Sequence, residues 1–501
     1  MSITPELYAK YQSKMRLIAD VKNANALLQW DQETYLPRKG AAFRGQQIST
    51  LSEISHRLFS EEELGNLLKE LLNKEDLPAD QKKNVERTNE DYLKNKKYSS
   101  EFVRKLSEQV NKAFHSWIES RKQNSFAIYE KNLDALIQLK EEEAEILGYV
   151  HHPYNALLDE FEKGATVELL DKTFNNLLPT LKDLLDRILK QPQVDNSFLK
   201  QHFPKQQQWD WGMELIKHLN FDFDAGRQDI SEHPFSVSFN RNDVRITTRV
   251  DENDFGNMTW SCIHETGHAL YEQGLAEEQY GLPLGEACSY SIHESQSRLW
   301  ENNVGRSKKF WQHYYPVLQK HFPDQFGKIS LENFYKGINQ VQPSLVRTEA
   351  DELTYHFHVY IRYELEKKLL DGTLSSHDIP SYWNEQYKKY LSVDVPNDKK
   401  GCLQDVHWSH GSFGYFPTYS LGSFYAAQFF ETAKGQLYNL ENSIENGDTS
   451  SLLNWLRQNI HSKGRFFTSE ELCHEVTGTG LNVQCFVKYL LDKYVSIYNL
   501  S

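Results

Sequence analysis

Long apolar runs are missing from this chain. No stretch approaches the roughly 20 residues that a membrane-spanning helix needs, and residues 1–20 are polar and helical in pattern, without the apolar centre of a secretory leader. Paired cysteines are missing too: Cys262, Cys288, Cys402, Cys473 and Cys485 form an odd set with no CxxC. That excludes a disulfide framework and points to reduced thiols in a cytoplasmic protein. Surplus positive charge is also absent. A formal net charge of −14 argues against a nucleic-acid partner or an anionic membrane surface, both of which ask for clustered Lys and Arg. Proline and glycine, at 15 and 25 of 501 residues, are sparse enough to leave long stretches able to be helical.

The stretches that are present bear this out. Residues 8–30 and 78–123 are rich in Leu, Lys, Glu and Gln at helical spacing. Turn signals interrupt the pattern at 36–40, 73–79 and His152-Pro153. A chain of this length exceeds one hydrophobic core, so an N-terminal subdomain over 1–150 and a catalytic body over 151–501 are expected. The exception to the helical pattern is 235–250, where FSVSF and VRITTRV alternate β-branched or aromatic residues with polar ones around Asn240-Arg241-Asn242-Asp243. That reads as a hairpin, so the expected fold is mostly α with one small antiparallel β-sheet.

His264-Glu265-Thr266-Gly267-His268 carries the chemistry. Four residues on a helix amount to one turn and about 40°, so the two imidazoles can share an ion. A catalytic zinc takes a third protein ligand and keeps one position open. A third histidine in the metzincin pattern is excluded, because Tyr271 and Gly274 stand where that pattern wants Gly and His. The next helical segment offers Glu294, 26 positions after His268 (294 − 268), with room for a turn between two crossing helices. His293 would then face away from the ion, since helical neighbours point about 100° apart. A bare HExxH also arises by chance on core helices, and Thr266 and Gly267 are weak helix formers that must rely on packing. Cys262 reads as a small buried side chain.

The motifs, taken in order, are His233-Pro234-Phe235, DVRIT from Asp243, HETGH, His293-Glu294-Ser295-Gln296, Val346-Arg347-Thr348-Glu349-Ala350-Asp351, and Gly401-Cys402-Leu403-Gln404-Asp405-Val406-His407-Trp408. Together they resemble the carboxypeptidase Taq family of metallocarboxypeptidases. The only departure is Val346 where that family's motif has Ile, a loss of one methylene. The resemblance implies a saddle-like helical fold with a deep central groove, similar to angiotensin-converting enzyme and neurolysin, with the N-terminal helices covering the groove. It also implies a homodimer, and removal of single C-terminal residues from peptides rather than another zinc-peptidase activity. Zinc is the implied cofactor, held by His264, His268 and Glu294, and cobalt or manganese is able to substitute.

Glu265, next to a ligand, is placed to act as general base. The resemblance directs attention to His407, Tyr419 and Tyr415 for the tetrahedral oxyanion, with an aromatic packing loop as the alternative for the tyrosines. Arg347 is the candidate for the substrate's free carboxylate, although on a helix it would equally pair with Asp351, four places on. His233, Asp243, Arg245 and Thr247 belong to the hairpin, whose edge could take the substrate as an added strand. An Arg245–Asp243 pair that only stabilises the hairpin remains the other reading. Gln404 and Asp405 are expected to orient a ligand imidazole. The competing functions are an endopeptidase on the same scaffold and a non-catalytic helical binding protein. The intact Glu265 argues against the second.

Overall fold

The computed structural model describes residues 3–500, and helices dominate it. The chain forms two compact units. One gathers Met1–Lys96, Asp195–Ile338 and Phe429–Gly480, and the other Lys97–Val194, Asn339–Gln428 and Leu481–Ser501. Among the described residues no helix is long and apolar enough to cross a membrane, and no disulfide joins the five cysteines.

In the first unit, helix α1 (Ile3–Thr34) contains the expected 8–30 pattern. Its Tyr8, Tyr11, Met15 and Ile18 pack on Leu64, Leu67, Leu68 and Leu71, two stripes at three- and four-residue spacing that close on each other. The expected helix over 78–123 is two helices, Ala79–Lys97 and Ser100–Gln123. The break falls where Ser99 turns its hydroxyl to cap the Phe102 N–H at 3.1 Å, a helix start that periodicity alone does not register.

The sheet has three strands: β1 (Gly226–Ile230), β2 (Ser236–Asn240) and β3 (Asp243–Thr248), in the order β1-β3-β2. β2 and β3 form the antiparallel hairpin, with Val237 opposite Arg245. β1 runs parallel to β3, so the sheet is mixed, not antiparallel as expected. The sequence GRQDI hides this strand because its buried residues are Gln228 and Asp229, which break the apolar alternation that marks a strand. Val244 and Ile246 of β3 are fully buried with Ile216, Phe221, Met258, Cys262 and Ala269. Three of these lie on α2 (Phe255–Glu272), so one face of that helix is fastened to the sheet. A one-residue slip of β3 would expose both aliphatic side chains, a loss of about 1.5–3 kcal/mol each.

Two helices continue the first unit's site. α3 (Tyr290–Arg298) is followed without interruption by a π-helical turn, Leu299–Val304. In the second unit, α4 (Tyr355–Leu370) is buried along most of its length and carries His358, Arg362 and Glu366 on one stripe. α5 (Phe416–Gln436) follows the segment that holds His407.

Candidate active site

α2 starts at Asp254, whose side chain caps the Gly256 N–H at 2.9 Å. It holds its helical form through weak formers because both sides are packed, on the sheet and on α3. Gly267 is the point of closest approach. A Cβ built there would lie 2.6 Å from Ser297 Cα and 2.8 Å from the Gln296 carbonyl oxygen. α3 meets it with small polar residues that satisfy themselves: Ser295 donates to the Ile292 carbonyl at 2.6 Å and Ser297 to the Glu294 carbonyl at 2.8 Å. A glycine on one helix and serines on the other let the two backbones touch.

That contact brings the predicted donors together. Donor atoms of His264, His268 and Glu294 all lie within 4.8 Å of one another. Glu294 Oε2 is 3.8 Å from His264 Nε2 and 3.5 Å from His268 Nε2. The remaining ring nitrogens are occupied. His264 Nδ1 meets Glu301 Oε2 at 2.9 Å. His268 Nδ1 meets His293 Nδ1 at 2.5 Å, and His293 Nε2 meets Glu272 Oε1 at 2.8 Å. Both Nε2 atoms are thereby aimed at the Glu294 carboxylate, the orientation that metal-binding imidazoles need.

The charges agree with this arrangement. Burial disfavours the ionised form of Glu294, yet Arg298 and the two imidazoles hold it well below the usual carboxylate range. Glu301 is likewise brought to about 2 by Arg298 and His264 against burial. Burial opposes a proton on His264, but Glu294 and Glu301 raise its pKa all the same. Burial, then His293, brings His268 down to about 3, so it stays neutral and able to coordinate. Two neutral-capable imidazoles and one carboxylate, in surroundings that favour a cation, fit a first-row divalent metal.

Glu265 is buried beside this cradle, with Ser236 of β2 as a hydrogen-bond partner. Burial pushes it up to about 7, with His264 opposing. The sequence did not single out Glu301 or Arg298. Arg298 Nε donates to Glu294 at 2.7 Å, and its Nη1 donates to Glu301 at 3.2 Å. The available signal was spacing for Arg298, four places after Glu294 on one helical face, whereas Glu301 lies on the π-helical turn that follows, where α-helical spacing does not hold.

The hairpin residues lie in the same unit. Arg245 forms a bidentate pair with Asp243, at 2.9 Å for both bonds, and its guanidinium lies 4.4 Å from the Trp30 ring and 5.0 Å from Phe239. The hairpin-stabilising pair is therefore present. His233 is exposed on the turn between β1 and β2, where Ser231 donates to its carbonyl at 2.6 Å. The Thr247 hydroxyl fixes that turn by accepting from Ser231 and from the Phe235 N–H.

The second unit assembles Arg347, His407, Tyr415 and Tyr419. Arg347 lies on a 3₁₀ turn, Arg347–Glu349, not on a helix, so Asp351 is not its partner. Asp351 instead caps the backbone at Leu353 and Thr354. Asp405 takes Arg347 Nε at 2.9 Å and Arg362 Nε at 2.6 Å. Gln404 Oε1 accepts from the Arg347 N–H at 2.9 Å and from Arg362 Nη2 at 2.8 Å. Gln404 and Asp405 thus orient arginines, not a ligand imidazole. Burial opposes ionisation of Asp405, but Arg362 and Arg347 hold it far below its ordinary value. Arg347 Nη1 donates to the Tyr355 hydroxyl at 3.0 Å, and the guanidinium lies 4.9 Å from the Tyr419 ring. His407 Nε2 is 3.1 Å from the Tyr419 hydroxyl, and its ring packs on Phe416 and Tyr415. Burial, then Arg347, pulls His407 down to about 3, so the imidazole is neutral near pH 7.

A helical fold with an HExxH helix and a carboxylate on the next helix defines a metallopeptidase class. The family description "Carboxypeptidase Taq (M32) metallopeptidase" matches residues 10–494. Carboxypeptidase 1 of Bacillus subtilis (strain 168) is 38% identical over 488 residues, covering 97% of both chains. Thermostable carboxypeptidase 1 of Thermus thermophilus is 38% identical over 514 residues, covering 99% of this chain and 100% of that one. The crystal structure of the M32 carboxypeptidase from Deinococcus radiodurans R1 superposes with a TM-score of 0.97 at 36% identity, covering 99% of this chain and 100% of that one. This chain belongs to the carboxypeptidase Taq (M32) metallopeptidase family. It is a metallocarboxypeptidase, a hydrolase of peptides that depends on a metal.

Proposed function

We propose that the enzyme is a zinc carboxypeptidase releasing single C-terminal residues with broad side-chain tolerance, His264, His268 and Glu294 holding the ion and Glu265 acting as general base. When bound, the ion supplies Lewis-acid polarisation of the scissile carbonyl and lowers the pKa of a coordinated water. Glu265, buried and raised toward neutrality, takes a proton from the attacking water on a carboxylate oxygen and hands it to the leaving amine nitrogen. His407 donates from Nε2 to Tyr419, and Tyr419 donates onward to the tetrahedral oxygen, with Tyr415 as the neighbouring reserve. The Nε2 contact with the Tyr419 hydroxyl at 3.1 Å supports the tautomer carrying its proton on Nε2.

The observation that carries the exopeptidase reading is the charge around Arg347. Two buried guanidiniums share one carboxylate, Asp405, so one positive charge is left for the free carboxylate of a substrate. The β2 edge, together with His233 and the Arg245 region, is the proposed seat for the peptide backbone. Five cysteines outside any disulfide support a cytoplasmic setting. The family resemblance supports a homodimer, which light scattering would test, as well as the breadth of specificity and cobalt or manganese as substitutes for zinc. The deciding experiment compares N-blocked peptides ending in a free acid or an amide, with the released fragment identified by mass spectrometry. The acid should lose single residues and the amide should be nearly inert. Equal turnover of both, or internal fragments, would replace the exopeptidase reading with an endopeptidase.

A further inference from the structure

The second unit holds a buried carboxylate that no role above employs. Glu366 on α4 is fully enclosed, and its two oxygens collect three donors. Trp408 Nε1 donates to Oε1 at 2.7 Å, the Gly414 N–H donates to Oε2 at 2.9 Å, and the Tyr154 hydroxyl also closes on Oε2. Trp408 follows His407 directly, and Gly414 directly precedes Tyr415. One carboxylate therefore grips both ends of the segment that presents His407 and leads into α5, where Tyr419 lies.

The segment's own turns hold part of its course, the Gly411 and Ser412 N–H groups donating to the Trp408 and His407 carbonyls at 3.0 Å each, and Glu366 adds the anchors at its two ends. After the 3₁₀ turn His407–His410 it passes through two left-handed glycines, Gly411 at φ 73° and Gly414 at φ 98°. At Gly414 a Cβ would sit 2.5 Å from the Leu157 carbonyl oxygen, so the loop is pressed against the short helix that also supplies Tyr154. Among the described residues no cation pairs with Glu366 directly. Arg362, one turn earlier on α4, is taken up by Asp405 and Gln404. Burial pushes the Glu366 carboxyl up to about 7 against the pull of its three donors. An aliphatic side chain would fill the same space without that desolvation, and what it would lack is acceptors for the loop.

We propose that Glu366 is a positioning residue for peptide hydrolysis, which by holding Trp408 and Gly414 fixes the His407 imidazole and the Tyr415–Tyr419 pair in their working attitude. The inference rests on the reading of His407 and Tyr419 as the oxyanion donors. Glu366→Gln keeps the shape but replaces one oxygen by a donor, so either the Trp408 indole or the Gly414 amide must face another N–H, and one end of the loop is released. Because His407 acts in the transition state and not in holding the substrate, the variant should lose about tenfold or more in kcat while KM moves by less than about threefold. Metal content should be unchanged. In a His407→Ala background the same substitution should cost several-fold less than it does in wild type, since the part of its effect that passes through the imidazole is already lost. Trp408→Phe, which removes one donor and keeps an aromatic ring, should give the same split in smaller measure, and it decides the matter if Glu366→Gln does not fold. A kcat within twofold of wild type, a loss that falls on KM, or full multiplication of the two losses would each overturn the role of Glu366. His407→Ala turning over like wild type would instead remove the oxyanion reading itself, and this inference with it.

Discussion

Replacing Gly267 by alanine tests the idea that one helix contact sets the metal cradle. The added Cβ would lie 2.6 Å from Ser297 Cα, where ordinary contact begins at 3.4 Å, a shortfall of 0.8 Å (3.4 − 2.6). All three nearest atoms are backbone, so no side chain can rotate away and α3 must move. Alanine's better helix propensity gives back about 1 kcal/mol, whereas overpacking costs about 1–3 kcal/mol. The net loss of stability is then no more than about 2 kcal/mol, and the chain should still fold. Coordination is far less forgiving. Glu294 rides on α3 with its oxygen 3.5 and 3.8 Å from the imidazole nitrogens, close to what bonds of about 2.0–2.2 Å to one ion require. Such sites tolerate displacements of about 0.2 Å. Zinc affinity measured by chelator competition should therefore fall by about a hundredfold or more, with circular dichroism close to wild type. Gly435→Ala, at a helical position where an added Cβ meets nothing within 4 Å, is the control and should be neutral or slightly stabilising. A Gly267→Ala enzyme that binds zinc within threefold of wild type would refute the argument.

Glu265→Gln should retain the metal in full and lose hydrolysis by a factor of about 10² or more, because the ligands are untouched while proton transfer is removed; unchanged turnover would exclude Glu265 as the base. Glu301→Gln keeps an acceptor for His264 but not its charge, so metal affinity should drop about tenfold, as read by dialysis against graded chelator. Arg347→Ala should erase much of the discrimination between free-acid and amidated peptides, and a variant that still discriminates would move carboxylate recognition elsewhere. The Glu366 carboxyl titrates at about 7 in the fold against an ordinary 4.5, so between these values the folded chain holds a proton that the unfolded chain has released. Its contribution to stability is complete below about pH 4.5 and is lost as pH rises through 7, at up to about 1.4 kcal/mol per pH unit. The melting temperature of wild type relative to Glu366→Gln should decline between pH 5 and pH 8, and a constant difference would contradict the shift.

The meeting of His264, His268 and Glu294 was legible in the sequence because both parts of the cluster are local. HExxH is a spacing rule on one helix, and Glu294 lies on the next helical segment. The β2–β3 hairpin was legible for the same reason, its strands being adjacent and alternating. β1 was not, because its buried Gln228 and Asp229 carry no apolar signal and its partner β3 lies beyond β2 in the chain. The partners of Gln404 and Asp405 were misjudged, since a side chain's destination across 40 or more residues leaves no trace in periodicity. Arg347 was considered on a helix, whereas it lies on a 3₁₀ turn. Asp351, which looked like its salt-bridge partner, instead caps the backbone at Leu353 and Thr354. Gly267 looked like a weakness of its helix until the neighbouring serines gave it a purpose.

The π-helical turn at Leu299–Val304 has a consequence for anyone redesigning this enzyme. Regularising the segment at unchanged length would wind its residues from the wider π-turn to about 100° each, turning Glu301 and the residues after it around the axis. Glu301 would leave the His264 ring, and the imidazole would lose what keeps it turned toward Glu294. An irregularity that a stability-minded designer would erase first is here the stretch of backbone that carries Glu301 to the His264 ring.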